Sequence, residues 1–275
     1  MQQANSTPCI APVVKRGLAS CRYSKSRAIL LAGSVLLTSP LHAEEKSSDW
    51  SVTLGAGAVN APVYAGSATR KTLAIPYFNV AYKDTYTLSL DGLGMNLYQE
   101  GDVKLTAGIS VDGIKRDDAG NANIRKLGNL NNIVRAKAAL SYTLLGTVLT
   151  AGLATDVSNK NGGSQLSLSA KLPLYSNAQL TSFAAVGLGI ADKKYMQSYF
   201  GVDQKQAALS GLNEYRPKAG IQHASLIFGA NYMLDKDWLA IALVSVSSLQ
   251  GDAARSPFTE KKTQASYIVG LARNF

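Results

Sequence analysis

The stretch QHASL places His223 and Ser225 two positions apart. On an extended strand that spacing puts both side chains on one face, where an imidazole could accept the proton of a serine hydroxyl and make it a nucleophile. The chemistry would be acyl transfer, with the base returning its proton to the leaving group. His223 is the one histidine left once the N-terminal leader described below is set apart, so any such site is limited to it. The same face carries Ile221 and Ile227, and no acid that could orient the imidazole stands out. The competing reading is that both residues fill polar volume inside a sheet structure. Gly-rich motifs fail on context: GAG at 55–57 and GLG at 92–94 and 187–189 lack both the GxGxxG spacing and a following helix, so no nucleotide site is expected. These glycines suit tapering strands and bulges better.

What could hold a His–Ser pair depends on the elements around it, and the N-terminus distorts their apparent composition. Lys15, Arg16, Arg22, Lys25 and Arg27 precede an apolar run, AILLAGSVLLT at 28–38, that is too short to span a bilayer. A Ser-Pro break and LHA follow. This order of charge, apolar core and small residue predicts a secretory leader over 1–43 with cleavage after Ala43, although Leu41 is bulkier than the usual pattern. Removing five basic residues and no acid takes the net charge from +10 to +5. Cys9, Cys21 and His42 leave with the leader, so the mature chain can form no disulfide, thiolate metal site or His cluster. No cofactor is expected. Basic residues are scattered and not striped, which argues against nucleic acid.

The remaining chain, 44–275, reads as one domain of period-two segments. SQLSLSAKLPLY sets Leu166, Leu168, Ala170, Leu172 and Leu174 opposite Gln165, Ser167, Ser169 and Lys171, and RAKAALSYTLL alternates in the same way. Eleven such segments are visible, many ten or more residues long, which suits a tilted membrane strand of about 9–11 residues better than a globular strand of about 5–6. Aromatics cluster near their ends: Trp50, Tyr77, Tyr82, Tyr86, Tyr98, Tyr142, Tyr175, Tyr232, Trp238 and Tyr267. The expected fold is therefore all-β, a transmembrane antiparallel up-and-down barrel with interfacial aromatic girdles.

Both chain ends on the periplasmic side require an even strand number, and eleven is odd. The segment 85–98 is the exception, because DGLG switches the phase: Tyr86, Leu88 and Leu90 give way to Leu93, Met95 and Leu97. A tight turn there makes two short strands and gives twelve, the number expected, whereas a bulge at Gly92 would keep one strand; ten strands is the alternative. Short links then face the periplasm, and the long connections 113–133, 191–216 and 249–261 face outside. In the final run QASYIVGLARNF, Phe275 shares a face with Leu271, Val269 and Tyr267 and is expected to anchor the closing strand at the lipid interface, with Arg273 out of keeping on that face. Lys104, Arg135, Lys137 and Lys171 should face the lumen beside Asp91, Asp102 and Asp112, as a paired network or a weakly basic pore. The connection 191–216 is too long to be structureless and should pack as a lid or plug or bind something.

YFGVDQKQAALSGLNEYRP at 199–217, LQGDAARSP at 249–257, GLARNF at the end and PVYAGS at 62–67 together resemble the MipA/OmpV family of outer-membrane proteins over essentially the whole mature chain. Tyr199, Phe200, Gly201, Val202, Ser210, Gly211, Leu212 and Tyr215 carry the most specific part of the likeness. The resemblance implies location in the bacterial outer membrane, contact with its lipid, and a non-enzymatic role. The family is described as scaffolds that bring a murein-degrading lytic transglycosylase to a murein-synthesising penicillin-binding protein, and some members are discussed as adhesins or permeability proteins. On the scaffold reading, the tight turns near Asp84, Glu100, Ser176 and Asp235 are the surfaces nearest to periplasmic partners. A passive pore or adhesin is the alternative. A remoter one is a lipid hydrolase, since His-x-Ser at 223–225 resembles the spacing in outer-membrane lipid-A deacylases.

Overall fold

The computed structural model describes residues 28–31, 34–37, 49–114 and 116–275. The expected leader and its cleavage after Ala43 lie outside these, except for the backbone of Ala28–Leu31 and Ser34–Leu37, which pair as an antiparallel hairpin.

Twelve antiparallel strands close into a barrel: β1 (Trp50–Pro62), β2 (Arg70–Tyr82), β3 (Tyr86–Ser89), β4 (Gly92–Glu100), β5 (Val103–Ile114), β6 (Leu130–Leu144), β7 (Thr147–Asp156), β8 (Ser164–Ser176), β9 (Leu180–Ala191), β10 (Gly220–Met233), β11 (Trp238–Leu249) and β12 (Thr263–Asn274). Each pairs with its sequence neighbour, and β12 returns to β1 through a ladder from Tyr267↔Asn60 to Asn274↔Thr53. Phe275 adds a backbone N–H to the Val52 carbonyl at 2.9 Å. Closure pairs the terminal edges, which in hydrocarbon would otherwise leave backbone groups without partners. Among the described residues no helix is long and apolar enough to cross a membrane; the strands do the crossing.

The register fixes the two faces. Tyr267, Val269 and Leu271 are exposed on the outside, while Ala272, between Leu271 and Arg273, is fully buried within. Trp50, Tyr86, Tyr98, Tyr142, Tyr175, Tyr232, Trp238 and Phe275 are exposed near the tight turns, with Trp50 and Tyr82 in ring contact at 4.7 Å, and so form an aromatic girdle at that end. Tyr77 departs from expectation: paired with Gly55 in mid-strand, it faces the lumen.

DGLG is a tight turn. Gly92 has φ 115°, and a Cβ there would fall 2.0 Å from the Ile109 carbonyl oxygen, so the chain reverses at the one residue type that tolerates both constraints. Two short strands result, and the count is twelve and not ten. β3 is only four residues long and pairs with β2 solely through Asn79–Tyr82.

At the opposite end the long connections fold over the barrel mouth with four short helices: α1 (Ala122–Arg125), α2 (Lys193–Phe200), α3 (Gln204–Ser210) and α4 (Gly251–Ala254). Two apolar clusters hold them. One joins Ile133, Tyr195, Met196, Phe200, Leu249 and Ala253; the other joins Tyr64, Ala119, Ile124, Leu127, Val202 and Phe258.

Candidate functional site

The block 199–217 is the centre of this cap. Asp192 starts α2 by accepting the Tyr195 N–H at 2.6 Å, and Asp203 starts α3 in a reciprocal capping box with Gln206. Gly201 ends α2 where a Cβ would press on the Gln197 carbonyl, and Gly211 ends α3 at φ 73°, a left-handed position. Ser210 donates to the Gln206 carbonyl at 2.6 Å and accepts the Leu212 N–H. Val202 and Tyr215 then exchange two backbone bonds of 2.9 Å, clasping α3 into a strap. The Tyr215 hydroxyl donates to the Asp252 carbonyl at 2.9 Å, while the Asp252 carboxylate accepts the Lys218 N–H at 2.7 Å and the Arg255 guanidinium. These bonds hold the Asp252 carboxyl below its ordinary range. Phe200, Val202 and Ser210 are buried, and Leu212 packs against the second cluster.

Tyr199 ties the cap to the barrel. Its hydroxyl donates to Asp112 Oδ1 at 3.0 Å and accepts from Arg135 Nη2 at 3.0 Å. Arg135 is 3% exposed; its Nε meets Asp112 Oδ2 at 2.6 Å and its remaining N–H groups meet the Gly162 and Gly163 carbonyls at 2.9 and 3.0 Å. The guanidinium lies over the Tyr195 and Tyr199 rings, which stack at 4.0 Å. Burial pushes the Tyr199 phenol up to about 12 against the opposing pull of Arg135, and the Tyr195 phenol up further. Arg116, which the sequence did not single out, braces the cap. It is 1% exposed, donates to the carbonyls of Gly128 and Ser198, and is lowered by burial to about 10. No local spacing signals such a residue, because its partners are main-chain carbonyls, one of them on α2 and 82 residues away.

Beneath the cap lies a lumen cavity of about 360 Å³ whose mostly apolar wall carries Ser110, Lys137, Gln165, Ser169, His223 and Ser245 among its polar groups. Lys137 pairs with Asp91 at 2.9 Å, and Lys104 sits on the same inward face as Ser110. Lys171 is 5% exposed, with its Nζ 4.4 Å from the centre of the Phe183 ring and no hydrogen-bond acceptor. Asp102 is a correction: it belongs to the exposed Gly101–Asp102 turn outside the lumen.

His223 and Ser225 do face the cavity, each beside a missing side chain. A Cβ on Gly189 would fall 2.3 Å from the imidazole, and one on Gly187 would fall 2.7 Å from the Ser225 hydroxyl. The GLG motif at 187–189 is thus a pair of notches that receive them. Ile221 does not share their face. The pairing shifts from His223↔Gly189 to Ile221↔Ile190, so a bulge buries Gln222 and turns Ile221 outward, 44% exposed. Among the described residues no hydrogen bond joins His223 to Ser225, and no group of three or more acidic, His or Cys side chains could hold a metal.

Asp84, Glu100, Ser176 and Asp235 all lie at the tight-turn end with the aromatic girdle. Asp84 occupies a turn at φ 52°. Glu100 accepts the Tyr98 hydroxyl at 2.6 Å. Ser176 ends β8 opposite Thr181. Asp235 accepts the N–H groups of Asp237 and Trp238, both at 2.8 Å, which closes its turn and holds its carboxyl below the ordinary range. Phe275 is 69% exposed, and the Arg273 guanidinium bends back over its ring at 5.1 Å while reaching Asp237 at 3.5 Å.

Comparison with known proteins places this architecture. The family model described as "MltA-interacting protein MipA" matches residues 54–275. MltA-interacting protein of Escherichia coli (strain K12) is 25% identical over 248 residues, covering 90% of this chain and 98% of that protein. Putative outer membrane protein YiaT of the same strain is 25% identical over 249 residues, covering 87% and 96%. Among solved structures, the COG4313 outer membrane channel from Pseudomonas putida F1 superposes with a TM-score of 0.43 at 10% identity, covering 86% of this chain and all of that one.

Proposed function

Since the chain belongs to the MltA-interacting protein MipA family and is an outer-membrane β-barrel, we propose that it is a non-enzymatic scaffold that holds a murein lytic transglycosylase beside a penicillin-binding protein at the inner leaflet. The observation that carries this reading is the family match over nearly the whole barrel, with relatives named for interaction with MltA. The non-enzymatic part is supported by the glycine notches at 187 and 189, which give His223 and Ser225 a packing role.

The periplasmic end offers only short turns. A stable interface buries about 1,200–2,000 Å² in total, so several turns and the segment EEKSSD at 44–49 must contribute together. Mild cross-linking in intact cells, followed by purification of the protein, tests the proposal. Murein enzymes should be recovered, and single changes at Asp84, Glu100 or Ser176 should lower recovery only in part. Asp235→Ala should do more, because it also opens its turn. His223→Ala and Ser225→Ala should leave recovery untouched. Lipid deacylation by the purified protein that vanished with Ser225→Ala would replace the scaffold by a hydrolase, and a host ligand retained by whole cells in place of murein enzymes would replace it by an adhesin.

A further inference from the structure

Above the short β3–β4 hairpin the barrel wall has a gap. β2 is thirteen residues long, yet its ladder with β3 covers only Asn79–Tyr82. On the far side β5 pairs with β4 only as far as Ile109, whereas its pairing with β6 runs on to Ile114. The stretches 70–78 and 110–114 therefore face each other across a space that the hairpin does not fill. Its height follows from the register: Tyr82 stands in the aromatic girdle of the tight-turn end, and Thr72 is level with Asn60 and Tyr267 at the opposite boundary, so the gap opens in the outer half of the lipid-facing band.

The edges are built as edges. Pro76, which has no N–H to donate, falls in the unpaired stretch of β2, the kind of position to which proline is confined in sheets. Both faces of β2 are open there, since Leu73, turned inward opposite Val59, is 47% exposed and the outward Ala74 is exposed as well. The rim is tied above by Lys71 to Asp118 at 3.0 Å and by the Gly120 N–H to Thr69 Oγ1 at 3.0 Å. The sill is tied below by Asp91 to Lys137.

Behind the gap lies the lumen cavity, and Ser110, Asp112 and Lys137 belong to both. The cap packs its two apolar clusters above, and Thr53, Asn79, Ala81, Lys171, Phe183 and Leu239 are buried across the lumen below. We propose that the gap is a lateral port through which a single-chain amphiphile with an anionic head moves between the outer leaflet and the lumen. Such a molecule must first dissolve in lipid, which calls for the chain, and it enters past the inward Leu73, Ile75 and Tyr77 of β2. Just below Ser169 of the cavity wall stands a cation. Lys171 lies one inward position below Ser169, buried, with an ammonium that no protein acceptor satisfies. Burying an unpaired charge is unfavourable, and a carboxylate or phosphate head relieves it.

Residues 44–275 contain no cysteine, so a Ser245→Cys protein carrying a small fluorophore reports from the cavity. In phospholipid vesicles, a doxyl-labelled stearate should quench this label more strongly than its methyl ester or aqueous iodide does. Ile75→Trp, which fills the port, should at least halve that quenching while the heat-dependent gel shift of the folded barrel is retained. Lys171→Met should erase the preference for acid over ester. Iodide quenching as strong as that by stearate would show an aqueous route and overturn the port. Unchanged quenching in folded Ile75→Trp, or equal quenching by acid and ester in the parent protein, would overturn the route and the head-group assignment respectively.

Discussion

Arg135 illustrates how a charge is kept inside a barrel: an acid, two carbonyls and a phenol share its donors, and two aromatic rings stack beneath it. Arg135→Leu removes all of these at once. The loss of stability should exceed the roughly 1 kcal/mol of a surface pair, because the arginine is buried. It should fall short of the roughly 3–5 kcal/mol of a fully buried pair, because the Asp112 side chain keeps 40% exposure. Thermal melting in detergent measures it. Tyr199→Phe, which deletes one hydroxyl and keeps the ring stack, should lower stability by about 1–3 kcal/mol. The same phenol gives a pH signature. Its pKa is raised in the folded protein to about 12 from an ordinary value near 10, so the unfolded chain releases the proton first as pH rises. Its contribution is complete below about pH 10 and is lost between pH 10 and 12, and Tyr199→Phe should flatten melting curves over that interval. Alternation along β6 and β8 made the inward direction of Arg135, Lys137 and Lys171 legible from sequence. Their partners were not, since Tyr199 lies 64 residues from Arg135 and arrives through a loop.

Among the elements, strands were more legible than helices because a sheet with one wet and one oily face writes its period into every second residue. The phase switch at DGLG even announced the β3–β4 turn, although not that so short a hairpin would leave the wall incomplete above it. The connection 191–216 was expected to pack as a lid or plug or to bind something, but its helices were not read, although their signals were present: Asp192 and Asp203 stand before α2 and α3, Gln206 completes a capping box, and Gly211 supplies a stop. Helices of eight and seven residues are too short to show a hydrophobic period, so only their ends mark them. The family block 199–217 gains a physical account from this, because its glycines and serine terminate helices and Val202 and Tyr215 close the strap. Gly211→Val places a β-branched residue at φ 73° and should release the strap while leaving the barrel assembled. Protease added to intact cells should then cut within 203–215 far faster than in the parent protein, with the heat-dependent gel shift unchanged. Gly92→Val should instead impair assembly, since its side chain would strike the β5 backbone.

For the molecule as a whole, one assignment governs the rest, namely which face of each strand meets lipid. Leu140 and Leu168 are exposed outward on β6 and β8, and both lie in the ladder Leu140↔Ala151↔Leu168 with another outward residue between them. In water such a band would be an aggregation surface; in a bilayer it is the wetted face. The inward neighbours Ser141, Thr150 and Ser169 share the next rung and are polar. Leu168→Arg places a charge in hydrocarbon and should oppose insertion by about 2–4 kcal/mol if the site is near the midplane. Lys171→Leu sits three residues away on the same strand but on the other face. It replaces a buried, unsatisfied ammonium by a shorter apolar side chain beside Phe183, so insertion should proceed normally while the conductance or melting temperature of the barrel shifts. Folding of the two variants into vesicles, scored by the heat-dependent gel shift across a denaturant series, separates the cases. If Lys171→Leu failed to insert and Leu168→Arg inserted as the parent does, the lumen and lipid faces would have to be exchanged. The lumen cavity, the tie of Tyr199 to Arg135 and the port would then all be misplaced, since each depends on the same choice of side.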